Sequence, residues 1–266
     1  MNQYKVRVQI SEFLRKVLAT SLQLWTYRNL ILIKKGLEKS STDPFEIDLN
    51  HLRKLMGEAH WIVEAGTFDG TTARELSFLF PEAVIFSFEP DRKLFIEALL
   101  RNIGFKNIYL QNCGLGAQFE YRKFNESHGK HRGVGSFLKP TGIQMHNPEV
   151  KFIGGNSYPL MISSMDEFLS SAQIPYLDLI WLDVQGSEFD VFRGASKYLK
   201  STRFVYVEVS TKEMYEGATL KDEIVAHLKN YGFEILNEYF LPSSPEGNLL
   251  FHNPKFDKPA KRTGQL

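Results

Sequence analysis

The chain has 266 residues, one cysteine and a formal net charge of +1, with 43% hydrophobic residues and charges mixed throughout. That is enough apolar material for one large domain with an ordinary core. It excludes an internal disulfide framework and offers no general polyanion-binding surface, so a nucleic-acid partner is not expected.

Taken in order, Ile10, Phe13, Leu14, Val17, Leu18, Leu22 and Trp25 recur at helical spacing and predict an N-terminal amphipathic helix. Packing on the domain core accounts for most such helices; a cap over a substrate pocket, or a peripheral membrane contact helped by Arg28, Lys34 and Lys35, is left open. Val17 to Ile33 contains Gln23, Arg28 and Asn29, which argues against a membrane span, and the pattern of a secretory signal is not found at Met1 to Gln9. A cytoplasmic protein is expected. Residues 1–59 read as a helical extension, broken at Ser40 to Pro44, with a short helix over Leu49 to Met56.

The organising stretch is Trp61 to Ala73, in which an apolar strand reaches Glu64, Gly66 and Gly70 follow, and Thr71 opens a helix to about Phe80. Glycines let the backbone turn tightly and approach a ligand, and the helix start offers unpaired N–H groups. A second apolar run, Ala83 to Pro90, ends in Glu89, near the ~20-residue offset at which an acid closing the second strand meets a nucleotide ribose. Together these signals point to a nucleoside-containing cofactor. A dinucleotide fingerprint would need glycines where Phe68 and Thr71 stand, and the Gly-Lys-Ser/Thr of a phosphate loop is missing.

The alternation continues through a helix near Arg92 to Asn102 and a third strand near Ile108 to Gln111, which argues for a parallel sheet with covering helices. That strand runs into Asn112-Cys113-Gly114, a turn at the carboxyl edge of the sheet, where an adenine would be bordered. Cys113 reads as a packing residue. From 118 to 158 the regular pattern dissolves into a glycine-rich, basic insertion carrying His128, His131 and His146. Such insertions serve as lids or binding loops, or as surface excursions. A short strand and helix over Leu160 to Ser170 lead to the strand Leu177 to Leu182, which closes in Asp183. A carboxylate there is costly to bury unless it reaches the ligand crevice. Glu188 suits a helix start, and Glu208 closes the next strand, Phe204 to Val207, at the same edge.

With these residues in view, the chain resembles the FkbM family of S-adenosylmethionine-dependent methyltransferases over about Trp61 to Phe251. Glu64-x-Gly66-x-x-x-Gly70 resembles their first motif, and Asp183-Val184-Gln185-Gly186-Ser187-Glu188 resembles their Asp-x-Glu/Gln-Gly-x-Glu segment. Phe88-Glu89-Pro90, Gly135 to Pro140, Val207-Glu208-Val209 and Met214 to Gly217 support the match; Phe68 departs from it, where many members carry Asn or another small or polar residue. The resemblance implies a Rossmann-like α/β fold, with a mostly parallel seven-stranded sheet, helices on both faces and an insertion after the third strand. The catalytic domain would span 60–252, with a tail from 253 to 266.

It further implies that Glu64, Gly66, Thr67 and Gly70 line the methionine half of S-adenosylmethionine with Asp69 and Thr71 nearby. Glu89 would take the ribose hydroxyls, and Asn112, Cys113 and Gly114 would border the base. Asp183 would touch the cofactor or the acceptor at the methyl site. Asp183 is the first candidate for catalysis, Glu188 and Glu208 come second, and His131 of the insertion is a further candidate base. A divalent metal held by Asp183 and Glu208 is an alternative to the preferred metal-free site. O-methylation of a small-molecule or glycan hydroxyl is the leading function. A nicotinamide-dependent oxidoreductase or a non-catalytic cofactor-binding scaffold are the alternatives, and homo-oligomerisation is left open.

Overall fold

A computed structural model describes residues 46–152 and 158–256, except the side chain of Met145. The N-terminal amphipathic helix, residues 153–157 of the insertion and the tail from 257 onward lie outside the described residues. The elements in chain order are α1 (Leu49–Met56), β1 (Trp61–Ala65), α2 (Thr71–Leu79), β2 (Val84–Phe88), α3 (Arg92–Arg101), β3 (Ile108–Gln111), β4 (Gly114–Gly116), β5 (Glu120–Lys123) and β6 (Ser127–His128). Then come α4 (Ile143–His146), β7 (Lys151–Phe152), β8 (Pro159–Ser164), α5 (Met165–Ser171), β9 (Leu177–Leu182), α6 (Glu188–Arg193), β10 (Thr202–Ser210), α7 (Lys221–Asn230), β11 (Glu234–Phe240) and β12 (Glu246–His252).

Seven strands form one sheet in the order β11-β12-β10-β9-β1-β2-β3. The ladders joining β3, β2, β1, β9 and β10 are parallel, and β12 runs antiparallel to both β10 and β11. This is the expected Rossmann-like, mostly parallel α/β sheet. From β1 the chain steps outward to β2 and β3, then returns to place β9 on the other flank of β1. Right-handed crossovers taken in opposite directions put their helices on opposite faces, and the reversal opens a crevice at the carboxyl ends of β1 and β9.

The strands are apolar because the sheet is covered: Ile62, Val63, Ile85, Leu179, Ile180, Leu182, Val205 and Val207 are all buried. Helix starts follow local chemistry. Asp91 caps α3, its carboxylate accepting from the backbone N–H groups of Lys93 and Leu94. Asp69 does the same for α2, accepting from the Thr71 amide and hydroxyl, while Gly70 supplies a left-handed backbone.

The insertion differs from the structureless stretch the sequence suggests. Its segments β5, β6, β7 and α4 are short, and the strands pair with residues distant along the chain. β4, β8 and β5 make a separate three-stranded sheet. A small apolar cluster of its own, Ile143, Val150, Met214 and Tyr215, ties the insertion to the turn after β10. Two to four residues of strand carry too little periodicity to be read from sequence. Among the described residues, no helix is long and apolar enough to cross a membrane.

Candidate active site

The crevice at the reversal is a cleft of about 570 Å³, open solvent included. Gly66, Phe68, Glu89, Leu94, Gly114 and Leu115 border it from the β1–β3 side, and Asp183, Val184, Gln185 and Ser187 from the β9 side. Phe124, Arg132, Gly133, Gly135 and Phe137 of the insertion cover it.

On the first side the wall is made by backbone. The Gly66 and Thr67 N–H groups donate to the Phe88 carbonyl, and the Asp183 N–H donates to the Ala65 carbonyl. A Cβ on Gly66 would lie 1.7 Å from the Asp183 carbonyl oxygen, and Gly66 has φ +82°, so two strand ends meet there only because the residue is glycine. Phe68 holds φ 54° without being glycine; such strain persists where surrounding structure fixes it and gathers at functional sites.

Glu89 is only 4% exposed. Its two carboxylate oxygens accept from the Phe68 N–H at 2.9 Å and the Asp91 N–H at 2.8 Å. Burial pushes its pKa up to about 8, against those backbone hydrogen bonds. When ionised, each oxygen has a lone pair left for a further donor; when protonated, one of the two offers an O–H donor instead. Asn112 braces this corner from behind, donating to the Glu89 and Pro90 carbonyls.

On the second side the wall is a side-chain network. The Gln185 amide nitrogen donates to Asp183 at 2.6 Å and to Glu208 at 2.9 Å, and its amide oxygen accepts from the Tyr215 hydroxyl at 2.8 Å. Gln185 also has φ 54°, and its backbone carbonyl accepts from the Ser136 hydroxyl. Burial and the neighbouring Asp183 hold Glu208 well above the usual carboxylate range. Asp183 is raised by burial too, opposed by the hydrogen bonds from Glu208 and Gln185. The Ser187 hydroxyl, on a residue only 4% exposed, has no partner in the structure and does not cap α6.

The expected site residues divide by position. Gly66, Glu89, Gly114 and Asp183 border the cleft. Glu64 is buried behind it, accepting from the Ser87 hydroxyl, and burial raises its pKa to about 7. Thr67 is buried in the loop; Asp69 and Thr71 form the α2 cap, with Asp69 also paired to Arg101 at 2.8 Å. Gly70 packs against Ala98 of α3 and Asn102 at that helix's end, and Cys113 belongs to the core, its thiol pushed up to about 11 by burial.

Glu188 turns back to accept from the Val184 and Gly186 N–H groups and faces a second, smaller cavity behind Gln185 rather than the cleft. Burial raises its pKa to about 7. Glu208 lines that second cavity as well. His131 lies outside the cleft lining, its Nε2 3.6 Å from Glu149 and 3.4 Å from the Asn147 amide. Among the described residues no group of three or more His, Cys, Asp or Glu is arranged to hold a metal.

The sequence marked Gln185 only as part of the Asp183–Glu188 segment and Arg132 only as one of the insertion's basic residues, and it did not single out Phe124, Leu94 and Phe137 as wall residues. A signal for Phe137 was nevertheless there: its ring needs the glycine at 114, where a Cβ would come within 2.4 Å.

A family model, the methyltransferase FkbM domain, matches residues 64–235. The chain belongs to the FkbM methyltransferase family. It is 28% identical over 256 residues to the 2-O-methyltransferase NoeI of Sinorhizobium fredii (strain NBRC 101917 / NGR234), covering 93% of this chain and 100% of that one. Among solved structures it is similar to methyltransferase FkbM from Methylobacillus flagellatus KT, at 14% identity and a TM-score of 0.48 over 73% of this chain. That alignment spans 43% of the longer Methylobacillus protein. The N-terminal domain of EvdMO1, solved with SAH and D-fucose, is similar at 13% identity and a TM-score of 0.43, over 80% of this chain and 83% of that one. The FkbM match runs from the strand that leads into Gly66 to β11, and so takes in both walls of the cleft.

Proposed function

We propose that this FkbM protein is an S-adenosylmethionine-dependent O-methyltransferase acting on a hydroxyl of a sugar, polysaccharide precursor or secondary metabolite. The observation that carries the cofactor reading is Glu89, a buried carboxylate fixed by two backbone N–H groups at the end of β2 and bordering the cleft with lone pairs to spare. Those lone pairs suit the two hydroxyls of a ribose. Phe88, Leu94, Leu115, Phe124 and Phe137 offer the apolar surface an adenine needs. The Gly66 turn and the partnerless Ser187 hydroxyl suit the polar methionine end. Similarity to a 2-O-methyltransferase supports oxygen as the atom methylated.

When bound, S-adenosylmethionine supplies a methyl group already activated by its sulfonium. The protein's tasks are then to align the acceptor and to take its proton. Alignment supplies up to about 7–11 kcal/mol of the barrier, and general-base help about 10²–10⁴-fold. Asp183 is the base in this reading. It borders the cleft, and burial raises its pKa, which brings its basicity nearer to neutrality. Gln185 fixes the Asp183 carboxylate, and Tyr215 fixes Gln185.

The test is calorimetric titration of the protein with S-adenosylmethionine and S-adenosylhomocysteine, beside Glu89→Ala and Asp183→Asn. Micromolar binding is expected for the wild type, with a loss of at least about 100-fold in Glu89→Ala, because the variant lacks acceptors for both ribose hydroxyls. Asp183→Asn is expected to bind S-adenosylhomocysteine and to lose turnover. A wild type that binds neither compound, but melts higher with NADH, would replace this reading with the nicotinamide one.

A further inference from the structure

The cleft is covered by a strap whose two ends are held in different ways. At the base, Asn125 and Ser136 form an antiparallel bridge that closes residues 126–135 into a loop. The β9 side of that loop is fixed by neutral hydrogen bonds, the Ser136 hydroxyl to the Gln185 carbonyl at 2.7 Å and the Tyr215 hydroxyl to the Val134 carbonyl at 3.0 Å. The other side rests on α3, and there the holds are charged. Arg132 makes two parallel hydrogen bonds to Glu97, at 2.5 and 2.6 Å, while its guanidinium sits 5.4 Å from the centre of the Phe68 ring. Glu126, its side chain 8% exposed, pairs with Lys93.

The arrangement on α3 is specific. Lys93 and Glu97 stand one helical turn apart on the same face, with opposite charges. The strap presents Glu126 to the first and Arg132 to the second, so the charges cross. A shift of the strap by one turn would set like charge against like. Flanking the two holds along the chain are Phe124 before Glu126, and after Arg132 Gly133, within 3.0 Å of the Phe68 ring were it to carry a Cβ, with Gly135 and Phe137; these cover the cleft. Gly129, with φ +84° and nothing near its Cβ position, offers a pivot midway between Glu126 and Arg132.

We propose that Lys93, Glu97, Glu126 and Arg132 form a two-point charged clasp that holds residues 126–135 across the cofactor cleft and sets how fast cofactor and demethylated product leave. The proposal rests on the cofactor reading above. Three of the four side chains are at least 39% exposed. Exposed ion pairs are individually weak and screened by salt, which suits a hold that must release at every turnover. The hydrogen bonds at the β9 side stay closed, and the α3 side opens. These are positioning residues: they act on the cofactor through the strap.

The experiment is stopped-flow dissociation of S-adenosylhomocysteine from the full chain. Glu97→Gln and Lys93→Glu are each expected to release it at least about tenfold faster than the wild type. The swap Lys93→Glu/Glu126→Lys, which restores one pair in reverse and leaves Phe68 and Arg132 untouched, is expected to return to within about threefold of wild type. Raising salt from about 50 to 500 mM should speed release from the wild type more than from Glu97→Gln. Variants that bind and release at the wild-type rate would overturn the clasp while leaving the cofactor reading intact. So would a swap as fast as Lys93→Glu alone. A wild type that does not bind S-adenosylhomocysteine overturns both.

Discussion

The two walls of the cleft are made of different material. At the β1–β2 end, backbone does the shaping: Gly66 touches the Asp183 carbonyl, and the Phe68 and Asp91 amides fix Glu89. At the β9–β10 end the backbone merely delivers Asp183, Gln185 and Glu208, and a relay of side-chain hydrogen bonds through Gln185 to Tyr215 sets their positions. Backbone walls suit a part of the site whose ligand is fixed in shape. A network of side chains can be retuned by single substitutions, which in the proposed reading suits the part that would meet the acceptor.

Breaking the backbone wall should have the largest effect. Gly66→Ala forces a Cβ to within 1.7 Å of the Asp183 carbonyl at a φ that alanine disfavours. A loss of more than ~4 kcal/mol of stability is expected, since it combines overpacking with backbone strain. Little folded protein, or a greatly lowered melting temperature, is the outcome to look for. A Gly66→Ala variant with wild-type melting would show that the two strand ends can separate.

The buried acids behind the walls provide a finer probe through pH. Glu64 holds its proton to about pH 7 when folded, against an ordinary 4.5. The unfolded chain releases that proton earlier, so the contribution is fully present below about pH 4.5 and is lost as pH rises towards 7. Chemical denaturation across this range should show stability falling, with Glu64→Gln removing on the order of 3 kcal/mol of that fall. An unchanged slope would mean that Glu64 is ionised in the fold.

The network wall should give way more gently. Gln185→Leu removes the donor shared by Asp183 and Glu208 and leaves the Tyr215 hydroxyl with the Val134 carbonyl. A cost of about 1–3 kcal/mol is expected from denaturation. S-adenosylhomocysteine affinity should change by less than about threefold, while turnover falls. Equal losses in affinity and turnover would erase the distinction between the two walls.

How much was legible follows the same divide. Glu89 and Gly66 could be picked out from their own neighbourhoods, because a tight turn demands glycine and an acid ending an apolar strand demands a partner. Glu188 and Glu208 carried the same kind of signal, yet in the structure Glu188 braces its own turn and both face the second cavity. Closing an apolar strand put Asp183 ahead of Glu188, which suits a helix start, but Glu208 closes the next strand in the same way. His131 was singled out for its chemistry alone, and its contacts are with Asn147 and Glu149.

By itself the sequence determined the alternation of strands and helices, the order of the acids along the carboxyl edge and the glycine turn, because periodicity, φ preference and burial cost act within a few residues. Only the tertiary structure decided which carboxylates share the cleft, that Gln185 joins Asp183 to Glu208 and Tyr215, and that the insertion closes over Phe68. Those pairings link segments tens of residues apart, and they form only when the sheet has brought its strand ends together.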